Sequence, residues 1–114
     1  MDFEITFYCL PNGRSPVKEF VDSLKMPAYR KFVYKKELLA GYGPWLSMPH
    51  TKYLGKGLLE LRFATEEGDI RIIYFFTNKK IVLVHAFKKT TQTTPKNDLE
   101  LAYKRMKDYK ERMI

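Results

Sequence analysis

Residues 58–87 read LLELRFATEEGDIRIIYFFTNKKIVLVHAF, and this segment carries the strongest signal for the fold class. It contains three mostly apolar runs, at residues 58–64, 70–77 and 80–87. Turn-forming residues separate them, with Glu67-Gly68-Asp69 after the first run and Asn78-Lys79 after the second. Short apolar runs joined by short polar turns predict an antiparallel meander of three strands.

The two faces of the predicted meander differ. In the first run, one set of alternating residues is expected to face covering helices and the other set to face away from them. The first set is Leu59, Leu61 and Phe63, and the second is Leu58, Glu60 and Arg62. The central run is apolar on both sides except at Arg71, which indicates a middle strand buried on both faces. An arginine there needs a partner, because burying a lone charge is costly.

The residues before the meander predict one strand and two helices. Apolar residues alternate over residues 3–9, which is typical of a strand with one buried face. A first helix is expected from about residue 16 to 24, with Ser15 as its N-cap. A second begins at Pro27 and is ended by the glycines at positions 41 and 43.

Two further segments complete the predicted order. Glycines and prolines in residues 41–57 favour a surface loop, and Pro95 opens a last helix. The order is therefore strand, helix, helix, three strands, helix. This order predicts a single α+β domain over residues 1–114, with helices packed on an antiparallel sheet.

Composition limits the class of protein. The 114 residues suffice for one core, and 45% hydrophobic residues exclude a chain disordered throughout. No stretch approaches the roughly 18 consecutive apolar residues of a membrane span, and the first residues lack the pattern of a signal peptide. The single cysteine, Cys9, can form neither an internal disulfide nor a zinc site with other cysteines. We expect a cytoplasmic protein that uses no metal or other cofactor.

The charge of the chain indicates the class of partner. There are 21 Lys and Arg against 13 Asp and Glu, which gives a net charge of +8 and a pI near 9.6. A charge of this sign favours a polyanionic partner, and nucleic acid is the leading class. A net positive charge also suits anionic lipid or an acidic protein. The choice among these partner classes therefore depends on where the cations lie.

Four cations are expected to converge on one face of the sheet. Arg62 and Arg71 lie on adjacent strands of the predicted hairpin, and Lys88 and Lys89 follow the next strand. Cleavage of RNA by its own 2′-hydroxyl needs a general base, a general acid, and cations that stabilise the crowded phosphate. Arginine suits the last role, because its planar fork donates two hydrogen bonds to a phosphate. Alternatively, Arg62 forms an ion pair with a neighbouring carboxylate, Glu60 or Asp69.

Other side chains are weaker candidates for a role in catalysis or RNA binding. His85, late in the third run, has a pKa range suited to an acid or base, although a lone histidine in an apolar strand is also typical of a hydrogen-bonded core residue. His50 is expected to be exposed, and Cys9 has no neighbour in sequence that would activate its thiol. Some aromatic residues suit either the core or stacking on RNA bases. They are Tyr74, Phe76, Phe87, Tyr103 and Tyr109.

Four ordered pieces of the sequence resemble a known family. They are KYLGKGLLELR at 52–62, GDIRIIYFF at 68–76, VHAFKKTTQTTP at 84–95 and AYKRMKDY at 102–109. Together and in this order they are similar to the HigB-type, phage-derived branch of the RelE toxin superfamily. The resemblance covers most of the chain and implies a RelE-like fold.

The resemblance also implies a function, a partner and a site. The function is that of a type II toxin that binds in the ribosomal A site and cleaves messenger RNA, and the partner is a helix-turn-helix antitoxin. The site is the concave sheet face with the basic residues after the last strand. The residues that this carries over to the site are Arg62, Arg71, Lys88 and Lys89, with Gln92 as a neighbour. Candidates for RNA binding are Lys52, Gln92 and Tyr74.

The chain departs from RelE at one important place. RelE has lysines on the first strand of the meander where this chain has Leu58 and Glu60, so the lysine-based acid–base arrangement is not carried over. The candidates for the base are Lys52, His85 and Glu60, and a mechanism based mainly on electrostatic stabilisation is also open.

The sequence leaves two other functions open, and it also predicts a surface for the protein partner. The chain could be a basic RNA- or ribosome-binding protein without catalysis, or an interaction protein whose positive face serves an acidic partner. An antitoxin is expected to bind the basic surface of the second or the last helix. The basic residues concerned are Arg30, Lys31, Lys35, Lys36 and those within residues 104–112.

Overall fold

The computed structural model of the chain describes residues 2–90 and 93–113. In chain order the elements are β1 (Glu4–Phe7), α1 (Pro16–Asp22), α2 (Met26–Tyr42), a short 3-10 helix (Gly43–Trp45), β2 (Thr51–Gly55), β3 (Leu58–Thr65), β4 (Gly68–Thr77), β5 (Lys80–Lys89) and α3 (Lys96–Arg112). The predicted α+β class is confirmed, and the predicted order is confirmed apart from one added strand, β2. None of the described helices is long and apolar enough to cross a membrane.

The five strands form one mixed sheet in the order β1-β5-β4-β3-β2. The antiparallel meander is confirmed as β3, β4 and β5, and β1 pairs with β5 in parallel. The prediction of a surface loop over residues 41–57 is wrong for residues 51–55, which pair with β3 as the edge strand β2. Gly55 and Gly57 have φ angles of 99° and 87° and lie at the tight turn between these strands. The glycines that suggested a surface loop are therefore part of a β-hairpin turn.

Helices cover both faces of the sheet and create two cores. On one face, α1 and α2 supply Val17, Val21, Phe32 and Leu39 against Leu61, Phe63, Ile70, Ile72, Tyr74, Ile81 and Leu83. On the other face, α3 supplies Ala102, Met106 and Tyr109 against Leu58, Ile73, Phe75, Val82 and Val84. The central strand β4 is therefore buried on both faces, as predicted. The predicted separation of Leu61 and Phe63 from Leu58 is also confirmed.

A β-bulge in β5 decides which of its residues face α3. Ile73 lies opposite His85, whereas Tyr74 lies opposite Leu83, so Val84 is one extra residue on β5. Val84 packs in the core under α3, and the next residue, His85, also contacts α3 through Asp98. The bulge therefore reverses the alternation of faces in the second half of β5.

The helix ends show how local sequence positions α1 and α2. Ser15 precedes α1 as expected, but its Oγ donates a hydrogen bond of 3.1 Å to the carbonyl oxygen of Tyr8 and makes no capping bond. Gly43 follows α2 with a φ of 55°, and a Cβ atom there would collide with the ring of Phe3. Glycine is therefore required where α2 ends against the N-terminal strand.

Candidate functional site

Charged residues meet on the α3-facing side of the sheet, beyond the end of the core under α3. Glu60 and Arg62 follow Leu58 at alternate positions of β3, and Arg71 lies opposite Arg62 on β4. Lys52 lies opposite Glu60 on β2. We name this group the Glu60 cluster, and its members are Lys52, Glu60, Arg62, Arg71 and Lys89. The register of the strands brings together two arginines that the sequence predicted to be neighbours.

The carboxylate at the centre of the Glu60 cluster is fully buried. Its Oε1 lies 3.4 Å from Arg71 Nε and 3.9 Å from Arg62 Nε. Its Oε2 accepts a hydrogen bond of 2.7 Å from Thr94 Oγ1, on the segment that leads into α3. The ion pair between Arg62 and Glu60 that the sequence left as an alternative is therefore present. A carboxylate without solvent exposure cannot meet a substrate hydroxyl, so we assign Glu60 no proton transfer.

Arg71 is a member of a buried ion pair. It is 7% exposed, and its Nη1 donates a hydrogen bond of 3.2 Å to the carbonyl oxygen of Ile70. Within the part of the chain that the structure describes, Arg71 Nε and Glu60 Oε1 have no hydrogen-bond partner, so charge attraction at 3.4 Å holds them together. Arg71 thus already has an anionic partner, and we expect it to matter for folding as well as for chemistry.

Lys89 lies in the electrostatic field of the same cluster. Burial lowers the pKa of Lys89, the positive charges of Arg71, Arg62 and Lys52 lower it further, and the negative charge of Glu60 opposes them. Lys52 is exposed on the edge strand β2. Because four cations surround one carboxylate, the cluster carries excess positive charge and suits an anionic ligand.

An open cleft of about 470 Å³ adjoins the cluster. Both arginines line it, together with Met48, Pro49, Asp69 and Lys35 of α2. The side chain of Arg62 is 25% exposed, and its Nη1 lies 3.5 Å from the weak acceptor Met48 Sδ. Arg62 is therefore the guanidinium with the most freedom to bind a ligand in the cleft.

Lys35 and His50 form a contact that the sequence did not predict. Lys35 Nζ lies 2.7 Å from His50 Nδ1, and burial and the neighbouring charge of Lys31 lower the pKa of Lys35. The expectation that His50 is exposed is wrong, because its side chain is half-buried against α2. The contact depends on how the segment before β2 packs on α2, and no residue spacing in the sequence signals that packing.

Two predicted site residues, Lys88 and Tyr74, are not brought into the cluster. Lys88 lies opposite Ile70, which faces α1 and α2, and its Nζ is 3.8 Å from Glu67 Oε1. Tyr74 is buried in the same core, where burial raises its pKa to about 12, so its ring is not available to an RNA base. Gln92 lies outside the described residues.

His85 joins β5 to α3. Its Nε2 lies 2.6 Å from Asp98 Oδ1, its Nδ1 lies 3.4 Å from Arg105 Nη1, and its ring stacks on Phe87 with centroids 5.5 Å apart. Burial lowers the pKa of His85; Asp98 opposes this effect and Arg105 adds to it. Of the two alternatives that the sequence left open for His85, the structure shows a hydrogen-bonded histidine, half-buried at the junction of β5 and α3.

The described residues offer no obvious place for a metal ion. Among them, no three His, Cys, Asp or Glu side chains come together as metal ligands would. Cys9 is exposed and free. The charged residues that line the cleft are Lys35, Arg62, Arg71 and Asp69.

The chain matches a known protein family over most of its length. A family model described as phage derived protein Gp49-like (DUF891) matches residues 19–107. The matched residues include α2, the whole meander and every member of the Glu60 cluster. No curated protein matches the chain.

Proposed function

The chain belongs to the phage-derived Gp49-like family, a RelE/toxin-like family of toxin–antitoxin systems, and from this premise we propose that it is a ribosome-dependent endoribonuclease toxin. The proposed toxin is of the HigB type and cleaves messenger RNA through the 2′-hydroxyl next to the cut. The observation that carries the proposal is the Glu60 cluster, in which two arginines and two lysines surround one buried carboxylate beside an open cleft.

The arginines supply the electrostatic part of the proposed reaction. Arg62 is partly exposed and lines the cleft, so it is the residue assigned to the scissile phosphate. Glu60 fixes the neighbouring guanidinium of Arg71, which lines the same cleft. Positive charges held in place before the substrate arrives stabilise the developing negative charge without reorganising.

A lysine is the best candidate for proton transfer. Glu60 is buried, and His85 contacts Asp98 of α3 and is not among the residues that line the cleft, so neither supports this role. Lys89 has a lowered pKa, and it lies close enough to both arginines for their charges to contribute to that shift. A depressed lysine pKa lets the amine accept a proton nearer neutral pH, so Lys89 is assigned as the general base or acid. Lys52, exposed on the adjacent edge strand, is assigned to the RNA backbone.

A second candidate function is a basic RNA- or ribosome-binding protein without catalysis. The observation that favours it is the pairing of Arg71 with Glu60, because an arginine already neutralised by a carboxylate is a weaker catalyst than a free one. Both functions use the same surface and the same partner class, so only a measurement of RNA cleavage separates them.

The proposed protein partner is a helix-turn-helix antitoxin. The outer surface of α2 exposes Arg30 and Lys31, and large apolar side chains near it are also exposed: Tyr34 by 59% and Trp45 by 81%. Exposed aromatic residues among cations suit a partner that combines apolar anchors with acidic side chains. We expect salt to weaken the complex if charge dominates, and the dissociation constant measured against ionic strength tests this.

Mapping of transcript 5′ ends after brief induction in a bacterial host tests the proposed function. We expect new 5′ ends within coding regions and growth arrest for the wild type, and loss of both for Arg62→Ala. Arg14→Ala is the matched control, because Arg14 is an exposed arginine paired with Glu19 outside the cluster. Growth arrest without new 5′ ends would contradict cleavage and support the binding protein instead.

A further inference from the structure

A second cavity, of about 460 Å³, lies between the β2–β3 turn and the first turns of α3. Its apolar lining is formed by Leu54, Leu58, Leu99 and the ring of Tyr103. Its size lies within the range of roughly 300–1,000 Å³ in which proteins hold small ligands. Three aliphatic side chains and one aromatic ring suit a flat, largely apolar group.

Cations gather at the aromatic side of this cavity. Lys56 Nζ lies 4.8 Å from the centroid of the Tyr103 ring, and Lys107 Nζ lies 5.7 Å from it. Lys96 also lines the cavity, with its Nζ 3.8 Å from Glu100 Oε1. A ligand that carries both an aromatic plane and a negative charge matches this set, and a nucleotide is such a ligand.

The cavity adjoins the Glu60 cluster along the strands. Leu58 lies two residues before Glu60 on the same face of β3, a distance of about 6–7 Å along the strand. On β2, Leu54 lies two residues after Lys52 and packs against the same core under α3. Thr94, which bonds Glu60, lies two residues before Lys96 in sequence. One extended strand of nucleic acid can therefore reach both places.

We propose that this cavity binds the base of a single-stranded RNA nucleotide that neighbours the phosphate held at the Glu60 cluster. The proposal rests on the proposed function, because it assumes that RNA is the ligand of that cluster. The base packs against Tyr103 and the leucines, and Lys56 moves from the ring to the attached phosphate. Stacking on an aromatic side chain is a common way to bind unpaired bases.

Glu100 gives the proposed site a base preference. Glu100 lines the cavity, its Oε1 is 3.8 Å from Lys96 Nζ, and an ionised carboxylate can only accept hydrogen bonds. The exocyclic amino groups of adenine, cytosine and guanine donate such bonds. The donor on the pairing edge of uracil, its N3–H, lies between two carbonyl oxygens that a carboxylate repels. The site should therefore prefer a base with an amino group over uracil.

The test uses the purified full chain and fluorescently labelled short homopolymers of adenylate, cytidylate and uridylate, 2′-O-methylated so that no cleavage occurs. Fluorescence anisotropy at low salt measures binding. Tyr103→Ala should weaken binding of the adenylate and cytidylate oligomers by about 5- to 150-fold, the usual effect of losing one stacked base. Tyr103→Phe keeps the ring and should bind like the wild type, as should the control Tyr42→Ala at the end of α2, where Tyr42 is 58% exposed. Glu100→Gln should reduce the preference for cytidylate over uridylate.

The outcomes separate this proposal from the proposed function. If Tyr103→Ala and Glu100→Gln bind all three oligomers like the wild type while Arg62→Ala weakens binding, the base site is wrong and the RNA function stands. If Tyr103→Ala does not fold, the proposal is tested by Glu100→Gln alone. An unchanged base preference in Glu100→Gln would then contradict the proposed base site. If the wild type binds no oligomer, either alone or on ribosomes, the RNA function fails together with the base site. Variants that weaken only a protein partner would identify the cavity as a docking surface and overturn the proposal.

Discussion

Replacing Arg71 by alanine is expected to destabilise the fold, because it leaves the buried carboxylate of Glu60 without its nearest cation. Breaking a buried ion pair by removing one partner typically costs about 3–5 kcal/mol. Thr94 still donates to Glu60 Oε2, and Arg62 Nε remains 3.9 Å from Oε1, so we expect the lower end of this range. At about 4 °C for each kcal/mol in a domain of this size, the melting temperature should fall by roughly 12 °C.

The double variant Glu60→Gln/Arg71→Met is the matched control for this prediction. It removes both charges and retains side chains of similar volume, so no lone buried charge remains. We expect it to recover most of the stability that Arg71→Ala loses. Glu60→Gln alone should cost less than Arg71→Ala, because Arg71 retains 7% exposure whereas Glu60 has none.

Thermal and urea unfolding followed by circular dichroism measure these differences, and a double-mutant cycle isolates the coupling between Glu60 and Arg71. A melting temperature of Arg71→Ala within a degree or two of the wild type would contradict this prediction. That result would mean that the pair contributes nothing to the fold, and Arg71 would then be free to serve the substrate alone.

Three further predictions follow from exposure, pKa and packing. Arg62→Ala should lower RNA cleavage by about 100- to 1000-fold. It should lower the melting temperature less than Arg71→Ala does, because Arg62 Nε lies farther from Glu60 Oε1, at 3.9 Å against 3.4 Å, and primer extension and thermal unfolding together can check this. Burial lowers the pKa of His85 below 6.5, so the unfolded chain binds more protons than the folded chain just below that pH. The wild type should therefore lose stability as the pH falls through this window, and urea unfolding should show a weaker loss for His85→Gln. Phe63→Ala should cost about 3–5 kcal/mol in urea unfolding, and Phe20→Ala should cost less, because Phe63 is 5% exposed and Phe20 is only partly buried.

The sequence predicts the meander well because its signals are local. Alternation of apolar residues assigns Leu58 and Leu61 to opposite faces, and polar turn residues separate the strands. The strand β2 is missed because its evidence is not local. The segment Thr51–Gly55 has little alternation of its own and becomes a strand only by pairing with β3.

The sequence is less informative about which lysine joins the arginines. Lys88 and Lys89 are adjacent, so they point to opposite faces, and the sequence could not choose between them. The extra residue Val84 in β5 reverses the alternation and brings Lys89, not Lys88, to the face of Arg71. A bulge depends on the packing of both sheet faces, and nothing in the run IVLVHAF marks its position.

The contacts of Glu60 and His85 show which side-chain partners can be predicted from the sequence and which cannot. Glu60 lies two residues from Arg62 on one strand and was therefore a predictable partner. Thr94 and Asp98 reach Glu60 and His85 from the start of α3, far along the chain. Such contacts follow from how α3 docks on the sheet, and periodicity alone does not specify that docking.

Arg71→Lys separates the structural role of Arg71 from its role toward RNA. A guanidinium has five N–H donors. In Arg71, Nε faces Glu60 and Nη1 donates one hydrogen bond to the carbonyl oxygen of Ile70. The remaining donors are available to a ligand in the cleft that Arg71 lines. Lysine retains the charge opposite Glu60 but loses the planar fork. We therefore expect Arg71→Lys to melt closer to the wild type than Arg71→Ala does, while cleavage mapped by transcript 5′ ends stays well below that of the wild type. Full cleavage by Arg71→Lys would contradict a two-pronged contact with phosphate, and a melting temperature as low as that of Arg71→Ala would show that the fork, not the charge alone, holds Glu60.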